Sequence, residues 1–286
     1  MVLNLLFGDT FIETLELAKS GDPVAQNDLG AIYHDGKGVP IDYSEAIKWF
    51  SKAAKQGHSL AKYNLGISKE KLNELNNTVE KAEKGNPEAQ NSLGLIYLYG
   101  WGIPQSYNEA LKWFKKAAKN GHAQATENIN KTFDSIKIDS EVMLRQGLAI
   151  LNEDDAAYDK DKGIKLLTQS AELGNAKAAS VLGLELAGVN GASLDYESAI
   201  KWLTVAADQD ISIAQKKLSK IYLSDKWSSK DYPKAFKWLM KLAEQGDVES
   251  QYLVGGMYAT GRGVVEDYIA AYAWIIISRA NGYRGN

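Results

Sequence analysis

The chain has 286 residues, of which 45% are hydrophobic and 24% are charged, a balance that is ordinary for a folded protein and argues against general disorder. A net charge of −3 provides no concentrated basic face for nucleic acid. The absence of cysteine excludes disulfides, thiolate nucleophiles and cysteine-containing metal sites.

The first predicted element is a helical cap over residues 1–20, because Ala18 and Gly21 repeat the spacing that ends the unit after it. The apolar run over residues 1–7 has no basic residue before it and is too short for a signal peptide. The run over residues 269–277 is too short to cross a bilayer. We therefore expect a cytoplasmic protein without membrane insertion. A periplasmic location is the alternative if a signal peptide preceded residue 1.

Residues 21–56 form the type unit, whose first half is a predicted helix. Ala25, Leu29 and Tyr33 recur at intervals of four and therefore share one face of that helix. Gly30 costs about 1 kcal/mol relative to alanine inside a helix, so its presence needs a packing reason. We expect a second helix to cross closely at Gly30.

The second helix of this unit follows a glycine-rich turn at residues 36–40. Asp42 and Glu45 have the spacing of a capping box, which marks the start of a helix. Gly57 ends the helix in a conformation that favours glycine. The predicted apolar face alternates small and very large side chains, namely Ala46, Trp49, Phe50, Ala53 and Ala54.

This pattern recurs mainly at intervals of 36 residues, and five of the seven tryptophans occupy one position of it: Trp49, Trp113, Trp202, Trp238 and Trp274. Such a period is typical of stacked repeats, in which each helix pair buries its apolar face against the next. We predict one all-α repeat domain over residues 1–286. Its predicted units are 21–56, 57–84, 85–120, 121–173, 174–209, 210–245 and 246–281, with a tail at 282–286.

Two units depart from the common length. The unit at 57–84 is eight residues short, lacks the glycine turn and has Asn77 where tryptophan is expected. The unit at 121–173 is seventeen residues longer, and we expect its excess around 123–143 to add a helix. The Leu-Gly pair of the type unit still recurs, which predicts a crossing helix at Leu65–Gly66, Leu93–Gly94 and Leu182–Gly183.

The combined pattern is Ala-x-x-x-Leu-Gly-x-x-Tyr followed by Gly-x-Gly-x-x-x-Asp-Tyr-x-x-Ala-x-x-Trp-Phe-x-x-Ala-Ala-x-x-Gly, and it resembles the Sel-1-like repeat, a relative of the tetratricopeptide repeat. Residues 21–57, 85–121 and 246–282 match nearly in full, whereas 57–84 and 121–173 are degenerate. The resemblance implies a right-handed α-solenoid of antiparallel helix pairs whose first helices line a concave groove. It also implies an adaptor, assembly factor or inhibitor, often bacterial, and not a catalyst.

Few residues are candidates for catalysis or metal binding. His58 and His122 both follow helix-ending glycines, which indicates a structural role, and His34 beside Asp35 is more typical of a surface contact than of a general base. The sequence lacks a recognisable set of nucleophile, base and orienting group. We therefore expect no enzymatic activity, no bound metal and no cofactor.

The predicted binding site for a protein or peptide partner is the groove lined by the first helices. In each repeat unit, the groove should be faced by the residues that lie two before, two after and five after the position equivalent to Leu29. Across units two and three these positions form an apolar patch of Tyr63, Ile67, Leu95 and Leu98, with Asn27 and Asn91 among the neighbouring groove positions. Such a patch marks a partner site where it remains exposed. Its burial by the shortened unit is the alternative.

Tyr99 and Trp101 lie outside the repeat pattern and are candidate aromatic anchors for a partner. Packing of Trp101 on a neighbouring loop is the alternative. In the last two units the groove positions are Lys216, Lys220, Leu223, Tyr252, Gly256 and Ala259.

Two functions stay open at this level. The first is a non-enzymatic adaptor or scaffold that binds a protein partner in the groove. The second is a dedicated inhibitor or immunity protein for a secreted toxin or enzyme of bacterial type. The sequence leaves the partner's identity and the oligomeric state open.

Overall fold

The computed structural model describes residues 9–152, 158–188, 195–224 and 230–284. The described residues form fourteen helices and contain no β-strand, and this all-α architecture of helix pairs confirms the predicted fold class. The helices are α1 (Asp9–Ser20), α2 (Pro23–Asp35), α3 (Tyr43–Lys55), α4 (Ser59–Glu83), α5 (Pro87–Tyr99), α6 (Tyr107–Lys119), α7 (Ala125–Ile150), α8 (Lys160–Glu172), α9 (Ala176–Leu186), α10 (Tyr196–Ala207), α11 (Ser212–Leu223), α12 (Tyr232–Glu244), α13 (Val248–Thr260) and α14 (Tyr268–Ala280).

The chain divides into two compact units, Met1–Ile136 and Lys137–Asn286. They are called the first unit and the second unit below, and each contains several of the shorter repeat units. The first contains α1 to α6 and the beginning of α7, and the second contains the end of α7 and α8 to α14. Within the first unit α2 pairs with α3 and α5 with α6, while the second unit contains the pairs α9–α10, α11–α12 and α13–α14. The predicted cap at 1–20 is seen as α1, and residues 1–8 of that prediction lie outside the described residues.

The predicted start of the second helices is set by side-chain caps. The Asp42 carboxylate accepts a hydrogen bond from the Glu45 N–H at 2.9 Å. The Ser106 hydroxyl accepts one from the Glu109 N–H at 3.3 Å. Each bond satisfies a backbone donor that the first turn of a helix leaves unpaired.

The expected close crossing at the Leu-Gly pairs is confirmed where a second helix is present. A Cβ atom on Gly30 would lie 2.7 Å from the ring of Phe50, and one on Gly94 would lie 2.5 Å from the ring of Phe114. Both phenylalanine side chains are fully buried. Glycine is therefore retained in these helices because the ring of the partner helix occupies the space of a side chain.

The shortened unit contains one helix in place of a pair. Residues 59–83 continue as α4 for 25 residues, since the glycine turn that would reverse the chain is missing. A Cβ atom on Gly66 would have no neighbour within 4 Å. The prediction of a crossing helix at Gly66 was therefore wrong.

The long unit departs from expectation in a similar way. The predicted excess around 123–143 does not add a helix; it lengthens one, because α7 runs without interruption for 26 residues. The expectation of an additional helix was wrong. Gly147 nevertheless packs as in a helix pair, since a Cβ there would lie 3.3 Å from the carbonyl oxygen of Gly163 in α8.

A buried glutamine near the start of the first helices joins neighbouring helices, a role that was not predicted from the sequence. The Gln26 amide in α2 donates to the Ala18 carbonyl in α1 at 3.2 Å and accepts from the Gln56 amide after α3 at 2.8 Å. Recurrence of glutamine directly after the repeat alanine or serine was the available signal. The bond to the preceding helix recurs in the pairs Gln90–Ala82, Gln215–Ala207 and Gln251–Ala243.

Four of the five repeat tryptophans are packed against the helix pairs on one side and are approached by lysines. Trp113 and Trp238 are buried, and Trp49 and Trp202 are half-buried. A lysine ammonium over an indole ring is a favourable cation–π contact. The distances to the ring centroid are 3.8 Å for Lys52–Trp49, 3.9 Å for Lys116–Trp113, 4.8 Å for Lys201–Trp202 and 4.3 Å for Lys237–Trp238.

Candidate functional site

The eight predicted partner-binding residues separate into three groups by exposure. Tyr63, Tyr99 and Trp101 are exposed by 68%, 53% and 47%. Ile67 and Leu95 are half-buried. Asn27, Asn91 and Leu98 are buried, so their assignment to an exposed binding surface was wrong.

The two asparagines are buried because they pair neighbouring first helices. The Asn64 amide of α4 donates to the Asn27 side-chain oxygen of α2 at 3.1 Å. The Asn128 amide of α7 donates to the Asn91 side-chain oxygen of α5 at 2.8 Å. A buried amide is costly unless it is hydrogen-bonded. Because Asn27 and Asn91 make their hydrogen bonds within the protein, they present little polar surface to a partner.

The predicted apolar patch is not one surface. Leu98 belongs to the core with Ala110 and Phe114, and Leu95 packs against that core from the side. Ile67 instead lines a small cleft between α2 and α4, together with Ala31, His34, Asp35, Phe50 and Asn64. The exposed part of the prediction is therefore aromatic and consists of Tyr63, Tyr99 and Trp101.

Tyr99 and Trp101 form a stacked pair on the surface of the first unit. Their ring centroids are 4.9 Å apart and the ring planes are inclined by 27°. Tyr99 is the last residue of α5, and Trp101 lies between Gly100 and Gly102 in the turn that follows. Offset aromatic pairs of this kind are mutually stabilising, so each ring restricts the motion of the other.

The turn that carries Trp101 is packed closely against the preceding helix pair. Gly102 has a φ of 80°, and a Cβ atom there would lie 2.5 Å from the ring of Tyr43, the first residue of α3. The turn therefore has glycine both for its backbone conformation and for the close approach of Tyr43. Trp101 is held in place while about half of its surface remains in water.

Charged residues of α7 lie near Tyr99. The Lys131 ammonium is 2.7 Å from the Glu127 carboxylate. The hydrogen bond that Lys131 donates to Glu127 raises the pKa of Lys131, and the negative charge of Glu127 and, more weakly, Tyr99 raise it further. The surroundings of Tyr99 thus combine a stacked aromatic pair with a polar, partly exposed edge.

A second feature lies in the second unit, where the groove positions of the last two repeats meet. Leu223, Tyr252 and Gly256 line a cleft of about 340 Å³. A Cβ on Gly256 would have no neighbour within 4 Å, so glycine leaves the cleft open. The other lining residues are Tyr232, Leu239, Leu253, Met257, Thr260, Arg262 and Ile275. These three residues are among the groove positions predicted from the repeat pattern, although the predicted binding site lies in the earlier repeat units.

The histidines have structural partners. The His58 ring nitrogen Nδ1 accepts the Ala61 N–H at 3.2 Å and caps α4, which confirms its predicted structural role. His34 lies 2.9 Å from the Ser68 hydroxyl, whereas Asp35 pairs with Lys37. Ser68 is fully buried, so no substrate reaches that hydroxyl in this structure.

Among the residues with described positions, histidine, aspartate and glutamate do not gather in threes that could hold a metal ion. Within the described ranges, every helix is too short or too polar to span a lipid bilayer.

Comparison with known proteins gives relatives of similar pattern. A Sel1-like repeat-containing protein of Acanthamoeba polyphaga mimivirus is 34% identical over 107 residues, which are 36% of this chain and 20% of that protein. The chain spans between 16% and 28% of the length of the first curated relatives it matches.

Two solved structures align with nearly the whole chain. A Sel1 repeat protein from Oxalobacter formigenes is 26% identical, with a TM-score of 0.43 over 96% of this chain and 77% of that one. The protein c5321, a protective antigen present in uropathogenic Escherichia coli strains, is 24% identical, with a TM-score of 0.40 over 95% of this chain and 73% of that one.

A family model described as the Sel1 repeat matches six segments, at residues 23–58, 87–122, 143–175, 176–211, 212–247 and 248–283. The unmatched stretches include all of α4 and the first part of α7, where the structure has long single helices. The matched segments cover well over half of the sequence, and we conclude that the chain belongs to the Sel1 repeat family.

Proposed function

We propose that this chain is a non-catalytic adaptor that binds a protein partner through the aromatic pair of Tyr99 and Trp101. Sel1 repeat proteins generally mediate protein–protein interactions. The observation that carries the proposal is the combination of exposure and order in this pair. Both rings are about half exposed, and both are held by stacking and by a closely packed turn.

Such a pair is favourable for binding for an energetic reason. A fully exposed aromatic side chain buries about 150–250 Å² when a partner covers it, so each of these half-exposed rings still offers about half of that area. A side chain that is already ordered loses little conformational entropy on binding, so more of the burial energy contributes to affinity. Tryptophan and tyrosine are for this reason over-represented among the residues that dominate interfaces.

The half-buried Leu95 supports the same surface from within. Leu95 and Ile129 of α7 both pack against the core of the α5–α6 pair, and Leu95 lies one helical turn before Tyr99 in α5. A charged group at Leu95 would disturb the apolar packing next to Tyr99. We therefore expect the partner to present an apolar segment with polar or charged flanks, which suits Glu127 and Lys131 nearby.

The experiment begins with co-purification from the native cell and identification of the partner by mass spectrometry. The affinity of the purified partner is then measured by calorimetry for the wild type and for Trp101→Ala. We expect a loss of at least about tenfold in affinity, as for a residue that anchors an interface. The melting temperature should stay the same, because Trp101 lies outside the buried core. Leu95→Asp should weaken binding as well.

Tyr158→Ala is the matched control, because Tyr158 is an exposed aromatic residue of the second unit. It should bind the partner with the affinity of the wild type. Normal binding by Trp101→Ala would refute the proposed site. A one-to-one complex with a single secreted enzyme whose activity is lost on binding would identify the chain as a dedicated inhibitor and not an adaptor.

A further inference from the structure

The cleft in the second unit is open because one position of its lining is glycine. At the position of Gly256, other first helices have Ala31, Leu95, Leu184 or Lys220. A Cβ atom on Gly256 would have no neighbour within 4 Å, so no packing contact among the described residues requires glycine there. Glycine is also unfavourable inside a helix. What it provides at this point of α13 is the space of the cleft.

The cleft has the size and the lining of a site for a large apolar group. Its volume is about 340 Å³, whereas engineered protein cavities of about 150 Å³ already bind benzene. The buried part of the lining is apolar and includes Leu239 and Met257. An apolar group that enters the cleft therefore leaves water for apolar surroundings, which is favourable.

Two aromatic side chains of the lining are held in place by neighbouring residues. The Tyr252 ring stacks on the Tyr283 ring, with centroids 4.3 Å apart and planes inclined by 18°. The Arg262 guanidinium lies over the Tyr232 ring, 5.7 Å from its centroid. The turn of Arg262 is packed closely, since a Cβ atom on Gly263 would collide with the Tyr232 carbonyl oxygen. An ordered lining loses little conformational entropy when a ligand binds.

The rim of the cleft is cationic. Arg262 lines the cleft and is exposed. Lys220 is also exposed, and it lies one turn before the lining residue Leu223 on the same face of α11. The acidic residue beside the turn, Glu266, accepts a hydrogen bond from the Tyr268 hydroxyl. The one acidic residue of α13 lies in its first turn, at the other end of the helix from Arg262. An anionic group is therefore favoured at this rim.

The mouth of the cleft is long and follows α13. Tyr252, Gly256 and Thr260 line it at intervals of four residues and are exposed. Eight residues of helix span about 12 Å, so the three positions form a trough of that length. A pocket for a free small molecule typically encloses most of its ligand. A trough instead accommodates an extended chain that places one side chain in the cleft.

From the space over Gly256, the ordered aromatic lining and the cationic rim, we propose that the cleft binds a peptide segment of a protein partner in which a large apolar side chain is flanked by carboxylates. The apolar side chain enters the cleft over Gly256, and a neighbouring carboxylate pairs with Arg262. This surface lies in the second unit, whereas Tyr99 and Trp101 lie in the first. Either site can therefore fail without the other.

Fluorescence polarisation of labelled peptides with the full chain tests the proposal. The probe is a pentapeptide with a central tryptophan between glutamates, blocked at both ends. We expect saturable binding to the wild type and at least about tenfold weaker binding when alanine replaces the central tryptophan. Glutamine in place of the glutamates should weaken binding by about two- to fivefold, since the ion pair at the rim is exposed. That preference should shrink at high salt.

Gly256→Leu fills the cleft without disturbing the helix, because leucine favours a helix more than glycine does. It should weaken binding of the probe at least about tenfold, while the circular dichroism spectrum stays the same. Gly66→Leu is the matched control, since Gly66 is another exposed helical glycine with no neighbour within 4 Å of its Cβ position. It lies in the first unit and should bind the probe as the wild type does.

Arg262→Gln separates the charge from the cleft. This variant should keep the preference for tryptophan over alanine and lose the preference for glutamate over glutamine, because only the rim is changed.

Four results would overturn the proposal. The first is a wild type that binds no peptide of the set. The second is a Gly256→Leu variant that binds the probe as tightly as the wild type. The third is equal affinity of the wild type for the glutamate and glutamine peptides at low salt. The fourth is binding of indole-3-acetate without binding of any peptide, lost in Gly256→Leu, which would identify a small-molecule site.

Discussion

Residues 21–56 and residues 57–84 share a repeat motif and fold differently. The first stretch forms the antiparallel pair α2 and α3, whereas the second forms the single helix α4. Both contain the Leu-Gly pair, yet Gly30 is covered by a phenylalanine ring and Gly66 has open space around it.

The difference shows which residues make a helix pair. The first stretch has a glycine turn at 36–38, and Trp49 and Phe50 after it. The second lacks that turn and has Asn77 and Thr78 at the aromatic positions. Without the turn the chain does not reverse, and without the aromatic pair it would gain little by reversing. The glycine of the Leu-Gly pair is thus needed for packing at Gly30, whereas at Gly66 no packing contact requires it.

The largest expected effect concerns the aromatic side chain that completes a helix pair. Phe114→Ala removes a fully buried ring and leaves a cavity against Gly94, and we expect it to lower the free energy of unfolding by about 3–5 kcal/mol. Chemical denaturation followed by circular dichroism measures this. Thr78→Ala, the change at the matching position of α4, should stay within about 0.5 kcal/mol of the wild type. Equal losses for both variants would contradict the comparison.

A smaller effect is expected from adding a side chain at Gly94, the glycine that the Phe114 ring covers. Gly94→Ala places a methyl group 2.5 Å from the ring of Phe114, so the two helices must move apart. Overpacking of this kind typically costs about 1–3 kcal/mol, more than the gain in helix propensity. The measurement is again the denaturation midpoint. A variant as stable as the wild type would show that the crossing at Gly94 is looser than the structure indicates.

The smallest effect has the opposite sign. Gly66→Ala adds a methyl group that meets nothing within 4 Å, in the interior of α4. We expect the free energy of unfolding to rise by about 0.5–1 kcal/mol, because alanine favours the helix over glycine. Destabilisation would mean that Gly66 is covered in solution, as the Leu-Gly motif alone predicted.

Much of the fold follows from short-range patterns in the sequence. The caps at Asp42 and Ser106 and the buried Phe50 could be predicted because each depends on residues a few positions apart. The candidate site could be predicted only in part. Trp101 is about half exposed, which one of its two predicted alternatives required. Asn27, in contrast, is buried, and its side chain is hydrogen-bonded to Asn64, which lies 37 residues later.

The sequence by itself determined the repeat, its period and the caps that begin the regular helices, since these rest on local hydrogen bonds and on a periodicity that most units repeat. The tertiary structure alone decided which faces are covered. Gly66 has open space around it, Asn91 is buried, and Ile269 of α14 faces solvent. Coverage depends on which helix lies beside which, and units of unequal length change those neighbours without changing the motif.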